Sequence, residues 1–365
     1  MAKNPKSYPK HLCNQLGREQ LIKKLEQENF TRTTVSLYRY SIIEDVPTFR
    51  TELYQKLESL GVLGRVYVAR EGINAQVCVP THNLEAFKVV MDGYFPGIPY
   101  KMAVTEEGHS FLKLIVKEKV KILADGQEDD SYDVTDVGNH LSAKEWNEAM
   151  EKDGTIVIDV RNHYEHEIGH FENALLPDVD TFKEELPVIK DMLEGKEDQK
   201  ILLYCTGGIR CEKTSAWLKD KGFKDVNQLH GGIIDYKRQV DQDGLENKFI
   251  GKNFVFDGRM GESISGDVIA HCHTCGEKAD THINCEWQVC HVLFIQCKNC
   301  QEKYEKCCSE ECQKHLHLPE EIQKELKKKA KPSGKTFMKG RFREQRLVAN
   351  TMSAGADKQA GEARI

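Results

Sequence analysis

The sequence predicts a multidomain α/β protein built from three consecutive structural units. Three observations support this fold class. The chain has 365 residues, its hydrophobic pattern changes character twice, and nine of its 13 cysteines lie between Cys272 and Cys312. Hydrophobic residues make up 39% of the chain and charged residues 30%, which is the composition of a globular protein that can bury a core.

The balance of charges excludes one class of nucleic-acid binder. The 58 acidic side chains outnumber the 52 basic ones, so the formal net charge is −6. This balance excludes a nucleic-acid binder that is basic over its whole surface, but it does not exclude a local basic patch. No apolar run reaches the roughly 18–20 residues that span a bilayer, and residues 1–20 lack the hydrophobic stretch of a signal peptide. We therefore expect a cytoplasmic protein with no membrane partner.

The N-terminal third predicts a helical segment followed by a small α+β platform domain. Residues 1–30 are charged and have helical spacing. Over residues 31–126 the predicted elements follow the order β-α-β-β-α-β, which is the ferredoxin-like (acylphosphatase-like) arrangement. This arrangement serves many unrelated functions and assigns none. The elements are strand 33–40, helix 46–61, a hairpin over 64–80 with Glu71 and Gly72 at its turn, helix 81–95 with Thr81 as N-cap, and a closing strand within 109–123.

Residues 143–245 have the pattern of a parallel α/β domain. The preceding residues 127–142 are acidic and polar, which is typical of a linker or an entry loop. Short, continuously apolar runs indicate strands that are buried on both faces, and helices alternate with them. The predicted strands lie at 155–160, 200–205 and 225–232, and the predicted helices at 142–150, 180–193 and 211–223.

The most informative segment is the loop that begins at Cys205 and continues through Thr206, Gly207, Gly208, Ile209 and Arg210. It follows an apolar strand and precedes a helix, so Cys205 lies at the carboxyl end of a parallel strand, where open α/β sheets hold their ligands. The two glycines let several backbone N–H groups turn toward one point, and the helix N-terminus adds positive potential. Because a thiolate is stabilised there, we expect a lowered pKa and a nucleophilic sulfur. The alternative is an ordinary buried cysteine at a strand end.

Other polar residues near this loop are candidate supporting residues. Asp159 and Arg161 leave the first buried strand on the same side as Cys205, and they either orient the loop or form an internal structural pair. Arg210 contacts a phosphate or the substrate base, or it caps the helix and faces solvent. Cys211 is either a resolving thiol for Cys205 or a helix residue that faces the core.

Residues 246–318 form a cysteine-rich module with the spacing of metal ligands. Its four cysteine pairs satisfy two tetrahedral zinc sites with four thiolates each. In a cross-brace topology the first and third pairs share one ion, and the second and fourth pairs share the other. The pairs in order are Cys272 with Cys275, Cys285 with Cys290, Cys297 with Cys300, and Cys308 with Cys312.

Three alternatives to this ligand set stay open. The cysteines could form disulfides or a redox-active thiol reservoir, and four histidines could substitute for single ligands. Those histidines are His271, His273, His282 and His291, and Cys307 is a spare neighbour of the fourth pair.

Residues 319–365 form a basic tail that we predict to be disordered. Between residues 324 and 346 there are ten Lys or Arg against two Glu, and polar, low-complexity residues end the chain. Phosphate contacts supply much of the affinity for nucleic acid, so the tail is either an RNA-binding arm or a solubilising tail. Its candidate RNA-binding residues are Lys327, Lys328, Lys329, Lys331, Lys335, Lys339, Arg341 and Arg343. Tyr38 and Tyr40 of the platform either stack on bases or belong to the core.

Several motifs together resemble one bacterial enzyme family. The loop at 205–210, the segment 158–174 and the segment 229–233 resemble the active loop, the entry motif and the closing signature of rhodanese domains. The hairpin 70–75, the active loop, the stretch 249–257 and the cysteine cluster follow one another as in the rhodanese-related tRNA uridine hydroxylase family. This resemblance covers roughly residues 30–315.

The resemblance implies a rhodanese-like fold for the second unit and oxygen-dependent 5-hydroxylation of the wobble uridine, position 34, in the tRNA anticodon loop. Molecular oxygen would be the co-substrate, and Cys205 would bond covalently to the substrate or carry a persulfide. In a mechanism that uses the thiolate directly, Cys205 adds to C6 of a flipped uracil and C5 captures an oxygen species.

The alternative function is a rhodanese-type sulfurtransferase with a persulfide on Cys205 in a sulfur relay. The sequence contains no flavin, haem or non-haem iron motif, so the electron donor of a hydroxylase stays open. Phosphate-monoester hydrolysis is disfavoured, because Arg210 follows Cys205 by five positions and the related phosphatases need a roomier loop.

Overall fold

The computed structural model describes residue 12, residue 14 and residues 16–103, 111–128 and 131–329. Within these ranges the strands form four sheets, of five, four, three and two strands. No helix among the described residues is long and apolar enough to cross a membrane.

The first unit is a five-stranded sheet whose apolar face shares one core with two helices. Leu53 and Phe87 of the helices are buried together with Leu37 and Val66 of the sheet. The elements are α1 (Arg18–Glu26), β1 (Arg32–Tyr40), α2 (Val46–Ser59), β2 (Leu63–Ala69), β3 (Gly72–Pro80), α3 (Leu84–Tyr94), β4 (Lys101–Met102) and β5 (Leu114–Glu118).

The predicted order of strands and helices is confirmed, but the closing strand lies elsewhere in the sheet. The sheet order is β4-β1-β3-β2-β5. The strand beside β1 is the two-residue β4, which pairs antiparallel with it. The strand expected to close the arrangement, β5, adds to the opposite edge and runs parallel to β2. There Leu114 and Val116 reach the apolar core, which accounts for their placement.

Thr81 does not cap α3, contrary to the prediction. Residues Thr81–Asn83 form a short 3-10 turn, and Asn83 precedes α3 without a side-chain capping bond. Thr81 instead stays in register with the end of β1. Its N–H donates to the Thr31 carbonyl, and its hydroxyl lies 3.0 Å from the Thr31 hydroxyl.

The second unit is a parallel four-stranded sheet in the order β6-β10-β9-β7. The inner strand β9 is apolar because both faces of the sheet are covered there, and Ile201, Leu202 and Leu203 are fully buried. The elements are β6 (Asn139–Leu141), α4 (Ala143–Met150), β7 (Ile156–Asp159), α5 (His163–His166), β8 (Gly169–Phe171), α6 (Phe182–Met192), β9 (Lys200–Tyr204), α7 (Ile209–Asp220), β10 (Asp225–Leu229) and α8 (Gly232–Asp243).

The segment expected to be a linker or an entry loop, residues 127–142, supplies one strand of this sheet. β6 pairs in parallel with β10 over three residues. It lies at the sheet edge, where Asn139 and His140 are exposed, and this explains why its sequence reads as polar.

The third unit begins with a strand that pairs with the second unit, and it continues into the cysteine-rich region. β11 (Phe249–Asn253) pairs with β8 on one side and with β12 (Glu262–Ser263) on the other, so a three-stranded sheet joins the two units. The remaining elements are β13 (His282–Asn284), β14 (Leu293–Ile295), α9 (Lys298–Lys303), α10 (Glu310–Leu316) and α11 (Glu320–Lys329).

A buried ion network ties the first unit to the second. The Lys213 ammonium, on α7, lies 3.0 Å from a Glu71 carboxylate oxygen at the hairpin turn and 3.1 Å from an Asp125 oxygen. It also donates to the Leu123 carbonyl at 2.9 Å. Because the Lys213 side chain is 1% exposed, these acceptors replace the water that an ammonium group loses on burial.

We expect Lys213→Met to lower the free energy of unfolding by about 3–5 kcal/mol, since two carboxylates then lose a buried partner. Urea unfolding followed by circular dichroism measures the change. Lys219→Met is the matched control on the same helix: Lys219 is partly exposed and pairs with Asp136, which is 60% exposed, so its loss should cost less than about 1 kcal/mol. Equal effects of the two substitutions would contradict the assigned role of Lys213.

Candidate active site

Cys205 lies directly after β9, where the chain turns into α7. Gly208 precedes this helix with a left-handed φ of 95°, which a residue with a side chain adopts only under strain. Its N–H donates to the Cys205 sulfur at 3.0 Å, and the N–H groups of Arg210 and Cys211 also donate to this sulfur. The loop therefore gathers several backbone donors around one atom.

These donors hold Cys205 as a thiolate. Burial by itself raises the pKa of the thiol and is the largest single influence. It is outweighed by the hydrogen bond from the Cys211 thiol, by the positive charge of Arg210 and by the backbone N–H groups, which together lower the pKa to about 5. At neutral pH the sulfur is therefore ionised and able to attack an electrophilic carbon.

The N-terminus of α8 holds the back of the loop. The Ile233 N–H donates to the Cys205 carbonyl at 3.0 Å, and the Ile234 N–H donates to the Thr206 carbonyl at 3.3 Å. Gly232 makes this approach possible, because a Cβ there would lie 2.6 Å from the Cys205 oxygen. The segment 229–233, noted in the sequence, thus positions the loop from behind.

Arg210 turns inward and forms a buried ion pair with Glu165. The guanidinium donates to both carboxylate oxygens, at 2.6 and 2.8 Å, and Glu165 is fully buried. In this structure Arg210 neither faces solvent nor lies free for a substrate phosphate. Sequence reasoning missed Glu165, although it stands in the segment that resembles the rhodanese entry motif, because its partner lies 45 residues away.

Asp159 and Arg161 form an internal structural pair, one of the two roles expected for them. The Arg161 guanidinium contacts Asp159 at 2.8 and 2.6 Å and also donates to the Gly169 carbonyl at 2.6 Å. Neither side chain bonds to residues 205–210 within the described part of the chain. Since Arg161 also reaches Asn253 at 3.4 Å, the pair joins β7 to β8 and β11 rather than orienting the loop.

Cys211 is a helix residue that faces the core, one of the two roles that the sequence left open, and its role as a resolving thiol stays a prediction. It is fully buried in the core of the second unit, and its thiol donates a hydrogen bond to Cys205. Burial and the neighbouring Cys205 sulfur raise the pKa of the Cys211 thiol, so Cys211 stays protonated beside a thiolate.

Side chains of the first unit close over the loop. Lys101, a buried residue of β4, donates from its ammonium to the Gly207 carbonyl, and this nitrogen lies 4.1 Å from the centre of the Tyr38 ring. The Tyr38 hydroxyl donates to Glu212 at 3.1 Å, and the Tyr40 hydroxyl donates to the Ile209 carbonyl at 3.4 Å. Burial lowers the pKa of Lys101 to about 8. Tyr40 thus contacts the active loop and Tyr38 contacts the helix that follows it, whereas Lys101 was not singled out by the sequence.

The loop opens into a cleft of about 770 Å³ between the first and second units. Cys205, Thr206 and Arg210 line one wall, and the open face of the first sheet lines the other. Phe256, from the chain after β11, completes the rim, with its ring 5.8 Å from the Arg210 guanidinium. A cleft of this size is large enough for a nucleotide.

The cysteine-rich module gathers its eight paired cysteines into two groups of four. The ligand atoms within each group lie within 4.8 Å of one another. Alternate pairs share a group, which is the cross-brace arrangement. The groups are Cys272, Cys275, Cys297 and Cys300, and Cys285, Cys290, Cys308 and Cys312.

The spacing of the sulfurs fits a tetrahedral metal ion. The Cys275 and Cys297 sulfurs are 3.7 Å apart, and those of Cys290 and Cys308 are 3.6 Å apart. Zn–S bonds of about 2.3 Å in a tetrahedron give about 3.8 Å between sulfurs, whereas a disulfide requires about 2.05 Å. No disulfide joins any of these eight cysteines in this structure.

The four candidate histidines and Cys307 lie outside these groups. His273 pairs with Glu167 at 2.7 Å and accepts from the Ile295 N–H, so both of its ring nitrogens are engaged. Cys307 is buried beside the second group.

The basic tail is described only at its start. Lys327, Lys328 and Lys329 lie on α11, and the Lys327 ammonium is 5.8 Å from the centre of the Trp287 ring. The other candidate RNA-binding residues lie outside the described residues. They are Lys331, Lys335, Lys339, Arg341 and Arg343.

Comparison with known proteins gives three family models that match this chain and several similar relatives. Family models match residues 32–122 (UPF0176 acylphosphatase like domain), 142–239 (Rhodanese-like domain) and 250–313 (Rhodanase C-terminal). A tRNA uridine(34) hydroxylase of Leptospira interrogans is 59% identical over 91% of this chain and 91% of its own. Proteins of the same name from Yersinia enterocolitica and Photorhabdus laumondii are 50% and 46% identical, over 86% and 92% of this chain and 90% and 96% of theirs.

We expect the Cys205 thiolate to appear near pH 5 in a titration of the ultraviolet absorbance difference between the native chain and Cys205→Ser. Cys211→Ala removes a donor to the ionised sulfur, so the midpoint should move to higher pH, toward that of an ordinary thiol.

The control is Cys78→Ala, which removes a buried cysteine of β3 in the first unit and should leave the midpoint unchanged. A native midpoint near pH 8.5, or no shift in Cys211→Ala, would contradict the account of the loop.

Proposed function

The chain belongs to the family of tRNA uridine(34) hydroxylases, and on that premise we propose that it converts the wobble uridine of tRNA to 5-hydroxyuridine with Cys205 as the reacting residue. The observation that carries the assignment to this residue is a buried sulfur with a pKa of about 5 in a nucleotide-sized cleft. The loop Thr206–Arg210 supplies its backbone donors and Arg210 its nearby positive charge.

The Cys205 thiolate adds to C6 of the uracil base. This bond turns C5 into an enolate-like carbon, and that carbon takes up the oxygen. We propose molecular oxygen as the source: one oxygen atom enters the base, the other leaves as water, and an external reductant supplies two electrons. Loss of the C5 proton and release of the thiolate from C6 then restore the ring.

Glu165 and Lys101 are positioning residues in this scheme. Glu165 forms an ion pair with Arg210 and fixes it against the loop, while Lys101 holds the Gly207 carbonyl from the opposite unit. Both contacts keep the backbone donors aimed at the sulfur, and such preorganisation stabilises charge without rearrangement during the reaction.

The partner is the anticodon loop of tRNA, and a cytoplasmic location follows from that substrate. We propose that the lysines at the end of α11 and the basic residues beyond it add phosphate contacts. We likewise keep residues 31–126, 143–245 and 246–318 as the proposed domain boundaries. The three matched family models support them.

Nucleoside mass spectrometry of tRNA tests the function. We expect 5-hydroxyuridine to be absent from cells that lack the protein, restored by the native chain, and not restored by Cys205→Ser. Cys78→Ala is the control and should restore it, because Cys78 lies on β3 away from the loop. Restoration by Cys205→Ser would remove the cysteine from the mechanism.

Dependence on oxygen separates hydroxylation from sulfur transfer. A sulfurtransferase would form a persulfide on Cys205 from thiosulfate or a cysteine desulfurase and would leave the hydroxyuridine content independent of oxygen. Family membership favours the hydroxylase. Anaerobic incubation should therefore stop the reaction without affecting the binding of tRNA.

We propose that each four-cysteine group holds a structural zinc ion. The cysteine-only ligand sets support the proposal, and so does a sulfur spacing that is too wide for disulfides. With four thiolates per ion no coordination position remains for substrate, so the ions would stabilise the module rather than take part in the reaction.

We expect two zinc ions per chain by metal analysis of protein purified without oxygen. Structural zinc contributes about 10–16 kcal/mol in small modules, so a strong chelator should unfold residues 270–316 and make them sensitive to protease. Cys297→Ser should lose one ion, whereas Cys307→Ser, which removes a buried cysteine outside both groups, should retain two. Metal-free protein with an intact module would refute the zinc assignment.

A further inference from the structure

The face of the first sheet that lines the cleft carries an ordered set of polar side chains. Burial alternates over residues 63–68 of β2 and 73–77 of β3, so residues such as Val66 and Ala75 pack in the core and those between them lie on the opposite face. Strand register arranges this second set in two rows. One row contains Tyr38, Asn74, Tyr67 and Lys117. The other contains Ser36, Gln76 and Arg65.

Two amides in the middle of this face have no assigned partner. Asn74 and Gln76 line the cleft and are half-buried, and neither side chain forms a hydrogen bond with any residue that the structure describes. The amides of the neighbouring unit differ: Asn227 and Gln228 both bond to protein groups. A partly desolvated amide without a protein partner is suited to bind a ligand that offers both a donor and an acceptor.

Uracil offers that combination along one edge. Its N3–H is a donor between two carbonyl acceptors, and a carboxamide presents one acceptor and one donor at matching spacing. C6, the atom that Cys205 would attack, lies across the ring from N3. A base with C6 at the sulfur therefore directs its N3 edge away from the active loop, toward the wall that the first sheet provides.

Basic side chains border the amides at the sheet edge. Arg65 is adjacent to Gln76 in register, and Lys117 is adjacent to Tyr67. Burial, followed by the like charges of Lys119, Arg65 and Lys113, lowers the pKa of Lys117. None of these four cations has a carboxylate partner among the described residues. A cluster of unneutralised cations beside a cleft attracts the phosphates that flank a base in single-stranded RNA.

We propose that this sheet face is the nucleotide-recognition surface of the cleft, in which Asn74 and Gln76 hydrogen-bond to the N3 edge of uracil and Arg65, Lys117 and Lys119 bind the flanking phosphates. The inference deepens the proposed function and rests on it, since it names how that site selects a uridine in an RNA loop. It also places RNA contacts on the first unit, where the sequence pointed only to two tyrosines.

A cycle that combines protein and substrate changes tests the amides. The substrates are anticodon stem-loops with uridine or 3-methyluridine at the wobble position, because the methyl group removes the N3–H donor. The enzymes are the native full-length chain, the double variant Asn74→Ala/Gln76→Ala, and the control Gln55→Ala, which removes an exposed amide on α2, away from the cleft. Formation of the hydroxylated base gives kcat/KM, and thermal unfolding confirms that each variant is folded.

We expect the double variant to lower kcat/KM for the uridine stem-loop by about 10- to 100-fold, the discrimination typical of a base-edge contact. Methylation at N3 should reduce the native rate by a similar factor and have little further effect on the double variant, since coupled groups are not additive. Asn74→Asp keeps the side-chain volume but cannot donate, and it should be impaired as well.

The possible outcomes distinguish a failure of this inference from a failure of the proposed function. No 5-hydroxyuridine from the native chain on the uridine stem-loop would refute the proposed function. Full native activity with a double variant equal to Gln55→Ala, or a methylation effect of equal size in native and variant, would overturn the amide assignment alone.

Salt dependence of stem-loop binding tests the cations. Lys117→Ala and Lys119→Ala should each reduce the slope of log affinity against log salt by about 0.7, whereas the double amide variant should leave that slope unchanged. Unchanged slopes in both lysine variants would remove these residues from the phosphate contact.

Discussion

The active site depends on keeping one buried sulfur atom, that of Cys205, ionised. Burial of Cys205 opposes a negative charge, so the fold has to supply compensating donors at fixed positions. It does so from three directions: the N-terminal end of α7 supplies N–H groups, the Cys211 thiol donates from below, and Arg210 adds positive charge. Gly208 and Gly232 are required because side chains there would strain or displace the loop that aims these donors.

The site is completed by contacts between units. The first unit places Lys101 on the Gly207 carbonyl and the Tyr38 hydroxyl on Glu212, and the buried Lys213 network fixes the two units against each other. Because the two walls of the cleft come from different units, the loop alone would lack a surface that selects a base. This division allows a rhodanese-like thiol to serve a reaction whose specificity lies in an attached platform.

The cysteine-rich unit acts on the site indirectly. The three-stranded sheet β12-β11-β8 fixes it to the second unit, and the chain that leaves β11 brings the Phe254 carbonyl to the Thr206 hydroxyl at 3.4 Å and the Phe256 ring to Arg210. Two metal ions in the four-cysteine groups would stabilise the module that follows this segment of chain. Its two-stranded sheet is too small to be stable alone. The metal groups thus support the rim of the cleft without facing it.

Local patterns in the sequence determined much of this protein. The apolar run at 200–205 and the glycines at 207 and 208 predicted Cys205 as the candidate nucleophile, and cysteine spacing predicted the two groups of four that the structure brings together. Both predictions rest on strand periodicity, turn chemistry and ligand spacing, which are properties of neighbouring residues. Tertiary structure alone decided that Glu165 pairs with Arg210, that β5 adds to the far edge of the first sheet, and that Asn74 and Gln76 line the same cleft as Cys205 from another unit. It also placed the Lys101 ammonium on the Gly207 carbonyl. Those relations join residues tens to more than a hundred positions apart, and they depend on how buried charges and apolar faces are satisfied in three dimensions, which no local pattern encodes.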